Sequence, residues 1–142
     1  YLSEAMAEMV LKKDMDDFPL INEPACGSGA NLIAVANLMK ERKFNYQQKA
    51  YFVAQDIDPL VAKMCYIQLS LLGCPGVVIV GNTLEGQSGE REYWYTPFHF
   101  IFGIGILARK RRIAEENKAI VIAKEEEATS DTDGLLRAVG II

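Results

Sequence analysis

Apolar residues recur along this chain with two different spacings, and the way those spacings alternate predicts the order of its elements. Leu2, Met6, Met9 and Val10 stand at i, i+4, i+7 and i+8, one face of a helix, with Lys12 and Lys13 at its negative end. A polar turn, Asp14 to Asp17, closes it. Phe18 to Asn22 is a short apolar run with Pro19 near its start, and it leads into Glu23-Pro24-Ala25-Cys26-Gly27-Ser28-Gly29. Leu32, Val35, Ala36 and Met39 then share a helical face, followed by Lys40, Arg42 and Lys43. Ala50 to Gln55 reads as a strand that stops at Asp56. Asp58 followed by Pro59 is a helix start, an N-cap before proline at the first helical position. Val61, Met64, Cys65, Gln68 and Leu72 continue one face of that helix, which Gly73 and Pro75 end. Val77 to Val80 is β-branched throughout or nearly so and reads as a buried strand.

Helix and strand thus alternate three times, which implies right-handed crossovers and a parallel sheet with helices on both faces, an α/β fold. After Asn82 the pattern weakens. Glu85 to Glu92 reads as a polar loop. Phe98 to Ile106 alternates apolar residues with His99, Gly103 and Gly105, which favours a strand over a helix. Arg109 to Glu127 is rich in Ala, Glu, Lys and Arg and reads as an exposed helix, with Ile120 to Ile122 as an alternative short strand. Thr129 to Gly134 reads as a loop before a small apolar tail. With few strands after Val80, part of the sheet edge or one face is expected to lack cover, and because exposed edges invite pairing, self-association is expected.

Composition narrows the classes of function. The chain has 142 residues, half of them hydrophobic and 24% charged, enough for one packed domain. Its net charge of −4 excludes wrapping nucleic acid by bulk charge, so any such contact is local or comes through a partner. Cys26, Cys65 and Cys74 are odd in number and lack CxxC spacing. That argues against a disulfide framework or a metal site and for a reducing, cytoplasmic setting. The longest apolar run, Phe98 to Leu107, is about half of what spans a bilayer. The N-terminus carries Glu4 and Glu8 and no basic leader, and it opens on Tyr1 rather than Met, as expected of a piece of a longer chain.

The chemistry concentrates between Glu23 and Asn82. Gly27 and Gly29 form a glycine-rich turn between a strand and a helix, where backbone and helix N-terminus can approach a ligand. The dinucleotide pattern G-x-G-x-x-G is not met, because its sixth position is Leu32, and no Gly-Lys pair provides a phosphate loop. A nucleoside-like ligand fits better. Asp56 at the tip of the second strand can accept hydrogen bonds from both ribose hydroxyls, Ile57 can pack on a flat base, and Asn82 at the tip of the third strand can meet that base's edge. The plain alternatives are a ligand-free turn for the glycines, a solvated strand end for Asp56 and a helix cap for Asp58.

Glu23-Pro24-Ala25-Cys26-Gly27-Ser28-Gly29 and Asp56-Ile57-Asp58-Pro59 resemble the S-adenosylmethionine (SAM) motifs of the N-6 DNA methylases, of the type I modification-subunit-like kind. The resemblance covers about residues 1 to 84 and implies a Rossmann-like class I methyltransferase fold, incomplete at its C-terminal side. Residues 1–84 would be the SAM-binding half and residues 85–142 the remainder of the same domain. By this resemblance SAM is the cofactor. Glu23 and the backbone of Pro24, Ala25, Cys26, Gly27, Ser28 and Gly29 face its methionine, Asp56 its ribose, and Ile57 and Asn82 its adenine. The helix over Tyr1 to Lys13 stands where the family carries a SAM-contacting helix, and the family usually has Asp at the Asn82 position. DNA is the implied substrate, methylated on adenine N6.

The family's catalytic motif, Asn/Asp/Ser-Pro-Pro-aromatic, is missing: Pro19, Pro24, Pro59, Pro75 and Pro97 are never adjacent. Thr96-Pro97-Phe98 is the nearest look-alike, and it precedes an apolar run instead of following a strand. No catalytic residue is assigned, and the isolated chain is expected to be inactive. A non-catalytic SAM-binding or regulatory module, or an interaction scaffold of a restriction-modification-type assembly with a partner subunit or a second copy, is the alternative. Tyr93, Trp94, Tyr95, Phe98, Phe100 and Phe102 read as core or association surface before base-stacking platform, and His99 as structural. Arg109 to Arg112 reads as phosphate contacts or as a solvated helix face.

Overall fold

A computed structural model describes residues 18–138. The expected helix over Leu2 to Val10 lies outside the described residues. The elements are β1 (Leu20–Glu23), α1 (Ala30–Glu41), the short α2 (Tyr46–Lys49), β2 (Tyr51–Asp56), α3 (Pro59–Leu71), β3 (Gly76–Val80), β4 (Glu92–Tyr95) and α4 (Ile104–Ala138). A 3-10 turn spans Thr83–Ser88 and a π turn His99–Gly103. Among these residues one compact unit ends at Leu107 and another begins at Ala108.

The four strands lie in the order β1-β2-β3-β4. The first three are parallel, with Leu20 opposite Tyr51 and Phe52 opposite Gly76, and β4 runs antiparallel to β3, with Trp94 opposite Val78. The α/β reading with a mostly parallel sheet is borne out. Because β1, β2 and β3 advance across the sheet in one direction, right-handed crossovers put α1 and α3 on the same face. There Leu32, Val35, Ala36 and Met39 meet Phe52, Ala54, Cys65, Leu69 and Val78 in one core. The four predicted positions of α1 are all buried. Each large aliphatic or aromatic side chain in that core contributes about 2 kcal/mol through burial. The opposite face holds Tyr51, Val77 and Ile79 under Ile106, with Phe102 and Leu107 packed beside them. β1 and β4 are the outer strands, each with one neighbour among the described residues.

Four expectations fail. The strand expected over Phe98 to Ile106 is a π turn running into α4. Phe98, Phe102 and Ile106 stand at i, i+4 and i+8 and turn inward together, whereas Phe100, Ile101 and Ile104 stay exposed. The helical period was present, and the interspersed glycines masked it. The fourth strand lies earlier, over Glu92–Tyr95, inside and just after the expected polar loop. It borrows its ladder from β3, which lets residues with exposed side chains form a strand.

The buried face of α3 is Ala62, Cys65 and Leu69; of the expected face only Cys65 is buried, and Met64 is half exposed. On that face Cys65 packs closely against the glycine turn: a Cβ on Gly29 would stand 2.9 Å from the Cys65 Sγ. Finally, α4 continues through Ile120–Ile122 and through Thr129–Gly134, where a strand and a loop were considered. Propagating a helix already nucleated costs only tenths of a kcal/mol per weak residue, so β-branched or turn-forming residues need not end it. Considered by itself, the helix beyond Leu107 exposes Arg111 and Arg112, and Arg112 pairs at 3.7 Å with Glu116 one turn on.

Candidate functional site

The site is assembled from the C-terminal tips of three adjacent parallel strands. Past Glu23 the chain turns sharply back, and the Cys26 amide donates to the Gln55 carbonyl at 2.8 Å, tying the loop to β2. Gly27 (φ 51°) and Gly29 (φ 96°) take left-handed conformations that cost L residues about 1–2 kcal/mol. The Gly29 amide closes the turn onto the Cys26 carbonyl at 2.8 Å, and its own carbonyl accepts from Ile33 at 2.9 Å, which starts α1. The loop therefore ends at the positive end of a twelve-residue helix. From α3, the Gln68 amide donates to the Ser28 carbonyl at 2.6 Å and braces the loop from behind.

Asp56 faces this turn. Its Oδ2 accepts from the Gly27 N–H at 2.8 Å and its Oδ1 from the Asp58 N–H at 3.0 Å. Asp58 is the helix cap expected of it, with Oδ1 accepting from Leu60 N at 2.8 Å. Glu23 accepts from the Asn31 side-chain amide at 3.1 Å and from the Ala25 N–H at 3.4 Å. One network thus brings Glu23, the Pro24 to Gly29 loop and Asp56 together. Ile57 lies just beyond and is 67% exposed.

The third tip is joined to the same loop by Thr83, whose hydroxyl donates to the Pro24 carbonyl at 2.6 Å. Gly81 donates to the Asp56 carbonyl at 2.9 Å, and the buried Gln55 amide donates to the Gly81 carbonyl at 3.1 Å. Asn82 commits both ends of its amide to its own turn: Oδ1 caps Leu84 N at 3.0 Å and Nδ2 donates to Glu85 at 3.0 Å. On the β4 side of the β3 tip, Val80, Glu90, Arg91 and Glu92 line an open depression of about 440 Å3. Asn31, Gln55, Gln68 and Thr83 were missed from the sequence. Gln55 alone carried a signal, a lone amide at the end of an apolar strand.

Behind the loop, Cys26 and Cys65 share a hydrogen bond that lowers the Cys26 thiol and, with burial, raises the Cys65 thiol from their ordinary values. Burial pushes Cys74 up to about 12. All three cysteines are buried, free thiols. Thr96-Pro97-Phe98 lies at the other end of the sheet. Thr96 is fully buried, with its hydroxyl donating to the Cys74 carbonyl at 2.7 Å and accepting from the Gly76 N–H at 3.0 Å. The look-alike is a structural corner.

Among the described residues no group of His, Cys, Asp and Glu is placed to hold a metal, and no helix is long and apolar enough to cross a membrane. Comparison with the curated proteins and with the solved structures found no match. A sequence model of the N-6 DNA methylases matches residues 1–103, and members of that family generally use SAM. The match takes in more than half of the sequence, including all four strands and the whole glycine-loop network, and by that measure the chain belongs to the N-6 DNA methylase family.

Proposed function

We propose that the chain binds SAM at the tips of β1, β2 and β3, as the cofactor-binding domain of an adenine-specific DNA methyltransferase. The observation that carries this reading is the Gly27–Asp56 hydrogen bond, which sets a carboxylate from one strand against the glycine turn of its neighbour. The donor set suits the cofactor. Carboxylates Glu23 and Asp56 are acceptors for an ammonium group and for ribose hydroxyls. A Cβ at Gly27 would meet nothing within 4 Å, so there is open room over the loop for a ligand to lie against backbone. SAM, when bound, supplies an electrophilic methyl group on a sulfonium. The chain's own part is to hold the cofactor, with Asp56 on the ribose hydroxyls and the loop amides and the positive end of α1 on the methionine carboxylate.

Thr96 in its buried corner favours a second reading of the same domain. The look-alike of the family's proline motif, Thr96-Pro97-Phe98, has its hydroxyl buried and already bonded to Cys74 and Gly76. The chain then acts as a SAM-binding subunit or regulatory module whose catalytic groups come from another part or partner of a restriction-modification-type assembly.

Calorimetric titration with SAM tests the first step. Saturable one-to-one binding is expected, and absence of heat at millimolar SAM overturns the proposal. Methyl transfer to adenine-containing DNA, with and without candidate partner subunits, decides between enzyme and module.

A further inference from the structure

Cys26 stands inside the glycine turn and Cys65 on the buried face of α3 behind it, and the two thiols meet in a hydrogen bond. Their main chains come close as well. A Cβ on Gly29 would lie 2.9 Å from the Cys65 Sγ and 3.6 Å from both its Cα and its Cβ. Gly29 is in turn bonded to the Cys26 carbonyl at 2.8 Å, so the turn that carries Cys26 sits directly on Cys65. Closeness of sulfur and of main chain together is what a disulfide requires.

The two thiols are not equivalent. Cys65 donates and the Cys26 sulfur accepts, since the shared bond lowers the Cys26 thiol and raises that of Cys65. The accepting sulfur gains thiolate character and is the one that reacts with an oxidant. It is also the better placed: Cys26 is 6% exposed and Cys65 not at all, and beside Cys26 a Cβ on Gly27 would meet nothing within 4 Å. A peroxide is small enough to enter there. The Cys26 sulfur attacks one peroxide oxygen, the O–O bond breaks, and the departing hydroxide takes a proton to become water, which leaves Cys26 as a sulfenic acid. The Cys65 sulfur then attacks the Cys26 sulfur, the S–O bond breaks, and the Cys65 proton leaves with that hydroxide as a second water. Two electrons pass from the thiol pair to one peroxide. Cys74 is fully buried, and burial pushes its thiol up to about 12, so it stays reduced.

We infer that Cys26 and Cys65 form a reversible disulfide under peroxide, and that closing it pulls the glycine turn away from Asp56. The sulfurs must draw together to a bond of about 2 Å. Cys65 is held in the core beside Ala62 and Leu69, so the loop is the side that gives way. Gly27, the next residue after Cys26, supplies the N–H that Asp56 accepts. The disulfide and the movement of the turn stand without any ligand. That oxidation also weakens SAM binding rests on the function proposed above.

Treatment of the full chain with hydrogen peroxide, followed by alkylation of the unfolded protein and peptide mapping, is the test. The Cys26 and Cys65 peptides should be joined, Cys74 should be alkylated, and dithiothreitol should release the pair. Amide exchange at Gly27 should quicken roughly tenfold or more in the oxidised chain, and SAM affinity in calorimetry should fall by a similar factor. Cys74→Ala should respond as wild type does, and Cys65→Ala should stop at a sulfenic acid that dimedone traps. Three alkylated thiols after peroxide, or a cross-link through Cys74, overturns the inference. So does a Cys26–Cys65 bond that leaves Gly27 exchange or existing SAM binding unchanged. A reduced chain that binds no SAM, but still forms the bond and shows the faster exchange, removes the proposed function and leaves the switch standing.

Discussion

The tips of β1, β2 and β3 and the corner at Thr96 lie at opposite ends of one short sheet, and both are crowded with polar groups. They differ in what those groups are left to do. At the corner every group is turned inward: the Thr96 hydroxyl serves Cys74 and Gly76, and the Thr96 amide donates to the Gly76 carbonyl at 3.0 Å, all with the residue fully buried. At the tips Asp56 and Glu23 are only partly covered; Asp56 accepts from the Gly27 and Asp58 amides and Glu23 from Ala25 and the Asn31 side chain, and the loop leaves space above Gly27. A carboxylate in that position keeps unused lone pairs toward solvent. Residue type therefore does not identify a working group. A threonine that looks like a degenerate catalytic position is a brace, and an aspartate that could be a plain strand end faces a glycine turn with open space above Gly27.

Breaking the corner should cost the most stability and leave binding alone. Thr96→Val keeps the shape and strands the Gly76 N–H and the Cys74 carbonyl without their partner. With about 1–3 kcal/mol for each of the two buried groups left unsatisfied, roughly 2–6 kcal/mol is expected. The urea midpoint should fall accordingly, Thr96→Ser should recover most of it, and SAM affinity measured on the folded fraction should match wild type. A loss of affinity without loss of stability would make the corner part of the site.

Gly29→Ala should lower stability and binding together, from the tips alone. The added Cβ meets the Cys65 Sγ at 2.9 Å, and Cys65 is fully buried with nowhere to move. The φ of 96° adds backbone strain. About 2 kcal/mol of destabilisation is expected in denaturant melts, together with weakened SAM binding as the loop shifts.

Asp56→Ala should do the reverse of Thr96→Val. The side chain is partly exposed, so stability should change by about 1 kcal/mol or less. Hydrogen bonds to a charged acceptor contribute about 1.5–3 kcal/mol, so SAM affinity should drop by roughly 10- to 100-fold in calorimetry. Unchanged affinity would remove the cofactor site from the tips of β1 and β2.

The tips were legible in the sequence because each element there is marked by local chemistry. Gly27 and Gly29 are needed by backbone conformation, Asp58-Pro59 caps a helix, and the Val77 to Val80 run has the composition of a buried strand. The corner was illegible because its determinants are long-range. Thr96 bonds to residues about twenty positions earlier, and β4 is a strand only because β3 is beside it. The buried face of α3 was misread for a related reason. Its Cys65 packs against the Gly29 turn, while hydrophobicity alone pointed to larger residues such as Met64, which is half exposed.

The smallest effect concerns pH and should arise at the corner. His99 donates its backbone N–H to the Thr96 carbonyl at 3.0 Å, and its Nδ1 lies 2.8 Å from the Tyr51 hydroxyl. A neutral ring protonated on Nε2 accepts the phenol proton there. Burial lowers the His99 pKa from its ordinary 6.5. The unfolded chain therefore takes up that proton first, and stability, complete above 6.5, should decline as pH falls below it. Burial, and then the neighbouring Tyr95, push Tyr51 up to about 12 from 10. Between those values the unfolded state releases a proton the folded state keeps, so stability should decline again as pH rises from 10 to 12. His99→Gln should abolish the acidic decline and Tyr51→Phe the alkaline one in urea melts across pH. An acidic decline that survives His99→Gln would show that the corner is not its source.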